Sequence, residues 1–491
     1  MATVAPERRI VADAAPSHDA PTMRALLDAQ RADFIAHLPV PLAVRRDRLD
    51  RAIAMMVDHA DRWCAACTED FGNRSRELTL MTDVLPSVGA LKHAKKHLNA
   101  WMSGEKRKPI FPLGLLGASA RVDYQPKGVV GIIAPWNFPI GMVMTPLAGV
   151  FAAGNRAIAK PSEFTPNVTA LFAELVPQYF SPEELAIVTG GPDVGQAFSQ
   201  LPFDHMIFTG ATSVGRHIMR AAADNLVPVT LELGGKSPVI VGQSADLNDV
   251  AAKVTMGKLM NAGQICLAPD YILVDQAREG ALVEALIASA SAMYPTILDN
   301  NDYTAVVNDR HHARLSAHVA DARAKGADIT IVNPAGEDFA SANSRKMPLH
   351  IISGATDEMS VMQDEIFGPL LPIRRVANSD AAIDYVNGRD RPLGLYYFGK
   401  DAGEERKVLD RTISGGVTVN DVIFHVAQED LPFGGVGPSG MGSYHGFDGF
   451  KTFSHAKSIF RQARFDVAKL AGLKPPYGKT TQSAIARDLK K

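Results

Sequence analysis

Between residues 22 and 104 apolar side chains recur every three or four positions with charged residues between them, as in RADFIAHLPVPLAVRRDRLDRAIAMMVDHADRWC. That period predicts amphipathic helices, divided where Pro39 and Pro41 interrupt the backbone ladder. From about residue 105 the pattern changes. GLLGASARVDYQPKG predicts a strand or hairpin, and GVVGIIA (128–134) is a short β-branched run. A helix over 141–154 follows, then a strand at RAIAK (156–160) stopped by Pro161, and a helix at TPNVTALFAELVPQYF. HMIFTG (205–210) predicts a strand, 213–225 a helix opened by Ser213, and 227–233 and 237–242 two more strands. From 243 to 430 the alternation continues with helix ALVEALIASASAMY, strands DITIVN and LLPIRRV, helix DAAIDYVN and strand GGVTVN. Strands alternating with helices build parallel sheets covered on both faces, so the fold class is α/β. PFGGVGPSGMGSYHG (432–446) predicts a glycine-rich loop.

Length and composition narrow the class. A chain of 491 residues exceeds a single core and divides into domains. A formal charge of -2 leaves no footprint for nucleic acid or an anionic membrane. Three cysteines exclude a disulfide framework and fit a reducing, cytoplasmic compartment. The Ala- and Pro-rich N-terminus lacks the apolar core of a signal peptide, so residues 1–22 are expected to form a flexible arm. No apolar run reaches about 18 residues, so no membrane span is expected. The tail 476–491 is polar and basic. Cys64 and Cys67, a C-x-x-C inside a helical pattern, are expected to pack as small hydrophobes. The histidines show no metal-ligand spacing, so no metal is expected, and the adjacent His311 and His312 are expected to be solvated.

In open α/β sheets ligands bind beyond the carboxyl ends of the strands. Trp136 and Asn137 follow the first strand, Lys160 and Glu163 the second, Thr209 to Gly215 the third, and Glu232 lies near the end of the fourth. FTGATSVG (208–215) is a glycine-bounded turn from strand to helix that can set a helix N-terminus against a pyrophosphate, although such turns also serve as plain punctuation. GKS at 235–237 is not a phosphate loop, because the position five before Gly235 is Thr230. Cys266 lies in NAGQICLAPDY, a small apolar loop flanked by Asn261 and Gln264, with Glu232 upstream. A thiolate is a nucleophile and a carboxylate can activate the water that removes an acyl group, so the pair suggests covalent thiol chemistry.

PWNFP (135–139), AKPSE (159–163), FTGATSVG, LELGGKSP (231–238), NAGQIC (261–266), EIFGP (365–369) and PFGGVGPSGMG (432–442) occur in the order found in the aldehyde dehydrogenase superfamily. The chain resembles that superfamily over residues ~25 to 470, and its C-terminal stretch looks most like the class 3 and coniferyl aldehyde dehydrogenase branch. The resemblance implies a Rossmann-like cofactor domain (23–105 and 127–235), a catalytic domain (236–430) and an oligomerisation arm (106–126 and 447–475) that adds to a neighbour's sheet in a homodimer or tetramer. It implies NAD, with NADP possible, as cofactor. Cys266 would be the nucleophile, Asn137 and the Cys266 N–H the oxyanion donors, and Glu232 the general base. Glu365 would hold the nicotinamide ribose with Phe367 beside it, and Lys160 and Glu163 the adenosine ribose. Trp136 would wall the cofactor, and Thr209, Gly210 and Gly215 would shape the pyrophosphate turn. One departure is Ala211, where the family often carries Ser or Asn; the pyrophosphate then relies on backbone N–H groups.

The expected substrate is a small-molecule aldehyde. Ile265 and Leu267 flank Cys266, and Ile423, Phe424 and His425 lie in the expected mouth, which favours an apolar or aromatic, coniferyl-type aldehyde. A CoA-acylating dehydrogenase and an acyl-phosphate reductase share the fold, but Glu232 argues for hydrolysis. A non-catalytic relative is expected to lack the nucleophile.

Overall fold

The computed structural model describes residues 17–470 and 472–489. The expected arm over 1–22 lies outside the described residues as far as residue 16. It does not extend to residue 22: Asp19 accepts the Thr22 N–H at 2.9 Å and caps a helix over Ala20–Ala36. Helices Leu42–Asp58, Ala60–Phe71 and Leu85–Trp101 follow the predicted apolar period. Cys64 and Cys67 are buried in the third of these four, as hydrophobes. A π-helical turn at Leu80–Val84 widens the chain just before Leu85 and carries Asp83 into the interior.

The first sheet has six strands, in the spatial order 440–441, 229–233, 205–210, 129–133, 156–160 and 185–187. All pairings are parallel except that of 440–441 with 229–233. Parallel sheets covered on both faces select continuous apolar runs, and Arg156–Lys160 is buried at every position. The helix Gly141–Ala153, apolar all round, is buried along nearly its whole length. From the strand at 129–133 the chain adds strands outward in both directions, so the topology switches beside it. Open α/β sheets bind ligands at such a switch point, beyond the carboxyl ends of the strands.

The second sheet has seven strands, ordered 328–332, 349–353, 370–376, 271–275, 238–241, 394–398 and 416–419, with only 328–332 antiparallel. A third, antiparallel sheet joins 105–107, 119–126 and 454–461.

Several expectations need correction. The helix after Gly210 spans Thr212–Asp224, and Ala211, not Ser213, stands at its N-cap without a side-chain hydrogen bond. The glycine-rich segment contributes the strand Gly440–Met441 to the first sheet, and Gly446–Thr452 is helical. The tail carries a helix over Lys479–Asp488, where Thr481 donates to the Gly472 carbonyl at 2.5 Å. His311 is not solvated: its ring lies 5.0 Å from Trp136 and burial lowers its pKa to about 4. Among the described residues no His, Cys, Asp and Glu cluster suits a metal, and no helix is long and apolar enough to cross a membrane.

Candidate active site

Asn137 leaves the strand 129–133 at the switch point and is buried. Its side-chain amide donates to the Gln264 carbonyl at 3.1 Å, which leaves its second N–H for another acceptor. Its own carbonyl accepts from Arg74 Nη1 at 2.9 Å and Asn261 Nδ2 at 3.0 Å. Arg74 is fully buried, paired with Asp83 at 2.5 Å and lying over Phe71 and Phe138. Asp83 in turn accepts the N–H groups of Ile140 and Gly141. The loop 135–139 is thus clamped from behind by an ion pair that the sequence reading did not find.

Cys266 sits in a loop shaped by strain. Asn261 and Ala262 hold φ of 50° and 52°, the left-handed region that non-glycine residues rarely occupy. Gln264 compensates with three bonds: Nε2 donates to Asn261 and Ala305 carbonyls, and Oε1 accepts from Val307 N–H. The thiol is half-buried and packs against the apolar cluster of Ile265, Leu267 and Phe433. Burial pushes it up to about 12, the Glu365 and Glu232 carboxylates add to that, and the backbone N–H groups of Cys266 and Leu267 oppose it.

Glu232 stands on the strand 229–233, opposite Thr209 and Gly440. It is 3% exposed and neither carboxyl oxygen has a partner. Burial holds its pKa well above the usual carboxylate range.

On the cofactor side, a cleft of about 700 Å³ is lined by Thr212, Gly234, Gly235 and Glu365 among others. Glu365 accepts the Gly235 N–H, its Oε1 is buried without a partner, and burial pushes it up to about 7. Gly234 is required there, since a Cβ would overlap the Glu365 carboxylate. Arg314 fixes this segment by donating to the carbonyls of Glu365, Ile366 and Phe367. Lys236, the lysine of GKS, serves the same end: it pairs with Asp270 and donates to the Val361 and Asp364 carbonyls. Phe367, at φ 48°, meets Trp136 edge-on at 5.2 Å.

Lys160 is buried rather than solvated, and its Nζ reaches Glu163 Oε2 at 3.2 Å. Gly210 and Thr209 close the strand 205–210, and a Cβ at Gly215 would lie 2.6 Å from Leu233 Cδ2, so the helix can approach the sheet only with glycine there. An uncapped helix N-terminus, an orphaned carboxyl oxygen and a roomy cleft fit a dinucleotide.

On the opposite side Ile423 holds φ 69°, an outlier for a β-branched residue, and packs against the cluster that contains Phe433. His425 turns inward, with Nδ1 at 2.8 Å from Thr418 Oγ1, Nε2 buried without a partner, and its pKa lowered by burial to about 4. Phe424 differs from the expected lining in being 51% exposed.

Known proteins match these features. A sequence profile of the aldehyde dehydrogenase family matches residues 1–459. The probable coniferyl aldehyde dehydrogenase of Caulobacter vibrioides is 55% identical over 471 residues, covering 96% of this chain and 97% of that protein. The coniferyl aldehyde dehydrogenase of Pseudomonas sp. strain HR199 is 52% identical, covering 94% of this chain and 95% of its own. The substrate-bound structure of Staphylococcus aureus AldH superposes with a TM-score of 0.88 at 34% identity, over 95% of this chain and 99% of that one.

Proposed function

The chain belongs to the aldehyde dehydrogenase family and is an NAD(P)-dependent aldehyde dehydrogenase; on that premise we propose that it oxidises an apolar aromatic aldehyde of the coniferyl type, through an acyl group carried on Cys266. The observation that carries the reading is the convergence on one half-buried thiol of an amide with a spare N–H, a dry carboxyl without partners and an apolar wall.

Each group has a role that its position supports. Cys266 Sγ gives up its proton to solvent and bonds to the aldehyde carbon, whose carbonyl electron pair moves onto oxygen. The developing oxyanion receives the free N–H of Asn137 and the Cys266 backbone N–H, donors already fixed before reaction. NAD(P), when bound, would supply the hydride acceptor. Glu365 would hold its ribose, Phe367 and Trp136 would wall it, and Lys160 with Glu163 would hold the adenosine ribose. Thr209, Gly210, Gly215 and the bare N-terminus of Thr212–Asp224 would seat the pyrophosphate. Glu232 takes a proton from the water that attacks the thioester, the C–S bond breaks to release the acid, and the proton held on Glu232 passes to the sulfur to restore the thiol.

Ile423, Phe433 and the Ile265 and Leu267 flanks favour an aromatic ring, as do the names of the two relatives quoted above. Phe424 and His425 would stand at the mouth. Glu163 supports a preference for NAD, since a carboxylate hydrogen-bonds ribose hydroxyls and repels a 2′-phosphate. The exposed side chains of Ile110, Phe111 and Leu115 beside the small antiparallel sheet support a homodimer built through the 106–126 and 447–475 arm. A cytoplasmic location fits the three free thiols.

The test is purified protein with NAD or NADP and a panel of aldehydes, with and without CoA. A coniferyl-type aldehyde should give the highest kcat/KM and free acid as product. Dependence on CoA would move the chain to the acylating class.

A further inference from the structure

Two cationic side chains in the cofactor cleft are left without a protein partner. Arg216 lies one turn into the helix Thr212–Asp224, on the face that carries Thr212, and both residues line the cleft. Arg391 lines it from the other side, on the segment that leads into the strand 394–398 of the seven-stranded sheet. Among the described residues neither guanidinium has a hydrogen bond or an ion pair. The other cations there are taken. Lys236 pairs with Asp270, and Arg389 pairs with Asp357 and donates to the Met362 carbonyl at 2.9 Å. Of the carboxylates in the lining, Asp357 and Asp384 are held by arginines, which leaves Asp390 and Glu365 without a cation.

The glycine-rich segment brings these groups to one place. Its turn at 437–439 is fixed on two sides: the Thr212 hydroxyl donates to the Pro438 carbonyl at 3.3 Å, and the Leu233 N–H to the Ser439 carbonyl at 3.0 Å. A Cβ at Gly437 would lie 3.9 Å from Arg391 Nη1, so the guanidinium reaches the same turn that sits on the helix start. Pro392, next in the chain, packs on Gly235, where a Cβ would lie 3.5 Å from Pro392 Cα. Ala211 gives the helix start no side-chain cap, and Glu365 keeps one buried oxygen without a partner in the same cleft. A guanidinium left free on such a wall is a planar fork of donors matched to phosphate oxygens. Asp390 offsets one of the two charges, and the helix N-terminus restores about half a charge, so the balance stays positive even with Glu365 ionised.

We propose that Arg216 and Arg391 grip the cofactor's pyrophosphate from opposite walls of the cleft, supplying the side-chain donors that Ala211 lacks. The inference rests on the cofactor lying in this cleft. Arg216 stands on a helix that packs on the six-stranded sheet and Arg391 beside a strand of the seven-stranded one, so a bound dinucleotide ties the two together. Both residues act on the cofactor and not on the aldehyde. Their loss therefore lowers affinity for NAD and leaves the chemical steps intact once NAD is bound.

The test is calorimetric binding, to the full-length protein, of NADH and of ADP-ribose, which keeps the pyrophosphate and lacks the nicotinamide. Arg216→Gln and Arg391→Gln should each weaken both ligands by about 10- to 100-fold, the worth of a hydrogen bond to a charged group. Arg216→Lys, which keeps the charge and loses the fork, should recover part of that loss. The KM for NAD should rise in step, while kcat at saturating NAD should not fall. Added salt should weaken NADH binding more in wild type than in the double variant Arg216→Gln/Arg391→Gln. Arg220→Gln removes the same charge one turn further along the helix, outside the cleft lining, and should bind NADH within about twofold of wild type. An equal loss in Arg220→Gln marks a general field and overturns the grip. Binding within about twofold of wild type in either Arg216→Gln or Arg391→Gln overturns it, as does a fall in kcat that parallels the loss of affinity. Glu365→Gln serves as the reference. If it binds NADH unimpaired, the placement of the cofactor in this cleft fails, whereas weak Glu365→Gln beside tight arginine variants defeats the grip alone.

Discussion

Asp83→Asn should loosen the loop that carries Asn137 although Asp83 touches no reacting atom. The Asp83 carboxylate accepts from Arg74, from the Ile140 N–H at 3.2 Å and from the Gly141 N–H at 2.8 Å. Every one of these neighbours is a donor, so the amide NH2 of asparagine must face a donor whichever way it turns. Arg74 would keep its charge at a site where both side chains are fully buried. Breaking a buried pair from one side costs about 3–5 kcal/mol, which corresponds to roughly 10²- to 10³-fold in a local opening equilibrium. Hydrogen exchange of the 137–145 segment reads that opening directly and should accelerate at least tenfold. Because Arg74 Nη1 also fixes the Asn137 carbonyl at 2.9 Å, kcat/KM should fall by about 10²-fold, the scale of a misplaced catalytic group. The double variant Arg74→Met/Asp83→Leu should recover much of the exchange protection, since no charge is then stranded. Exchange and kcat/KM both within threefold of wild type in Asp83→Asn would refute the clamp.

Cys266→Ala should leave less than about 1% of turnover while retaining NAD binding, measured by NADH formation and by calorimetry. Glu232→Gln should release about one NADH per active site in a burst and then turn over slowly; equal loss of both steps would point to Glu365 as the base. Glu365, pushed up to about 7 by burial, is protonated below that pH and ionised above it, so NAD should bind more tightly as pH rises through about 7. Glu365→Gln should flatten that profile and weaken binding by roughly 10- to 100-fold, the worth of a charged hydrogen bond. Steady-state kinetics should favour NAD over NADP in kcat/KM, and a clear NADP preference would show that Glu163 does not face the ribose.

The parts of the site legible in the sequence are those held by local chain. Trp136 and Asn137 follow a strand within four residues, Glu232 lies inside one, and Cys266 sits in a loop whose shape depends on Asn261 and Gln264 beside it. Arg74 bonds across 63 residues to Asn137, Arg314 across 51 to Glu365, and Lys236 across 125 to Val361. Such partners leave no periodic trace, and each looks like an ordinary surface cation until the chain is folded. The strands Tyr271–Asp275, Leu349–Ser353 and Gly394–Phe398 escaped for another reason. Each is a five-residue, almost fully buried run without alternation, which periodicity cannot separate from a buried helical segment. Ser213 misled because a good capping residue stood two positions past the true N-cap, while Ala211 leaves the helix end without a side-chain cap.

That bare end belongs with the electrostatics of the whole site. Burial raises the Cys266 thiol, Glu232 and Glu365 together, and the two carboxyls raise the thiol further. The same dryness makes each of the three groups costlier to ionise than it would be in water. Burial that raises the thiol slows oxidation and attack by stray electrophiles, since the thiolate is the reactive form. Loss of its proton becomes favourable only when donors meet the charge that follows. In the proposed mechanism Asn137 supplies such a donor through the N–H that the Gln264 carbonyl leaves free, while the Cys266 and Leu267 N–H groups favour the charged sulfur itself. Reactivity is therefore tied to the presence of substrate by geometry, and the clamp of Arg74 and Asp83 matters because it keeps that geometry in place while the thiol waits.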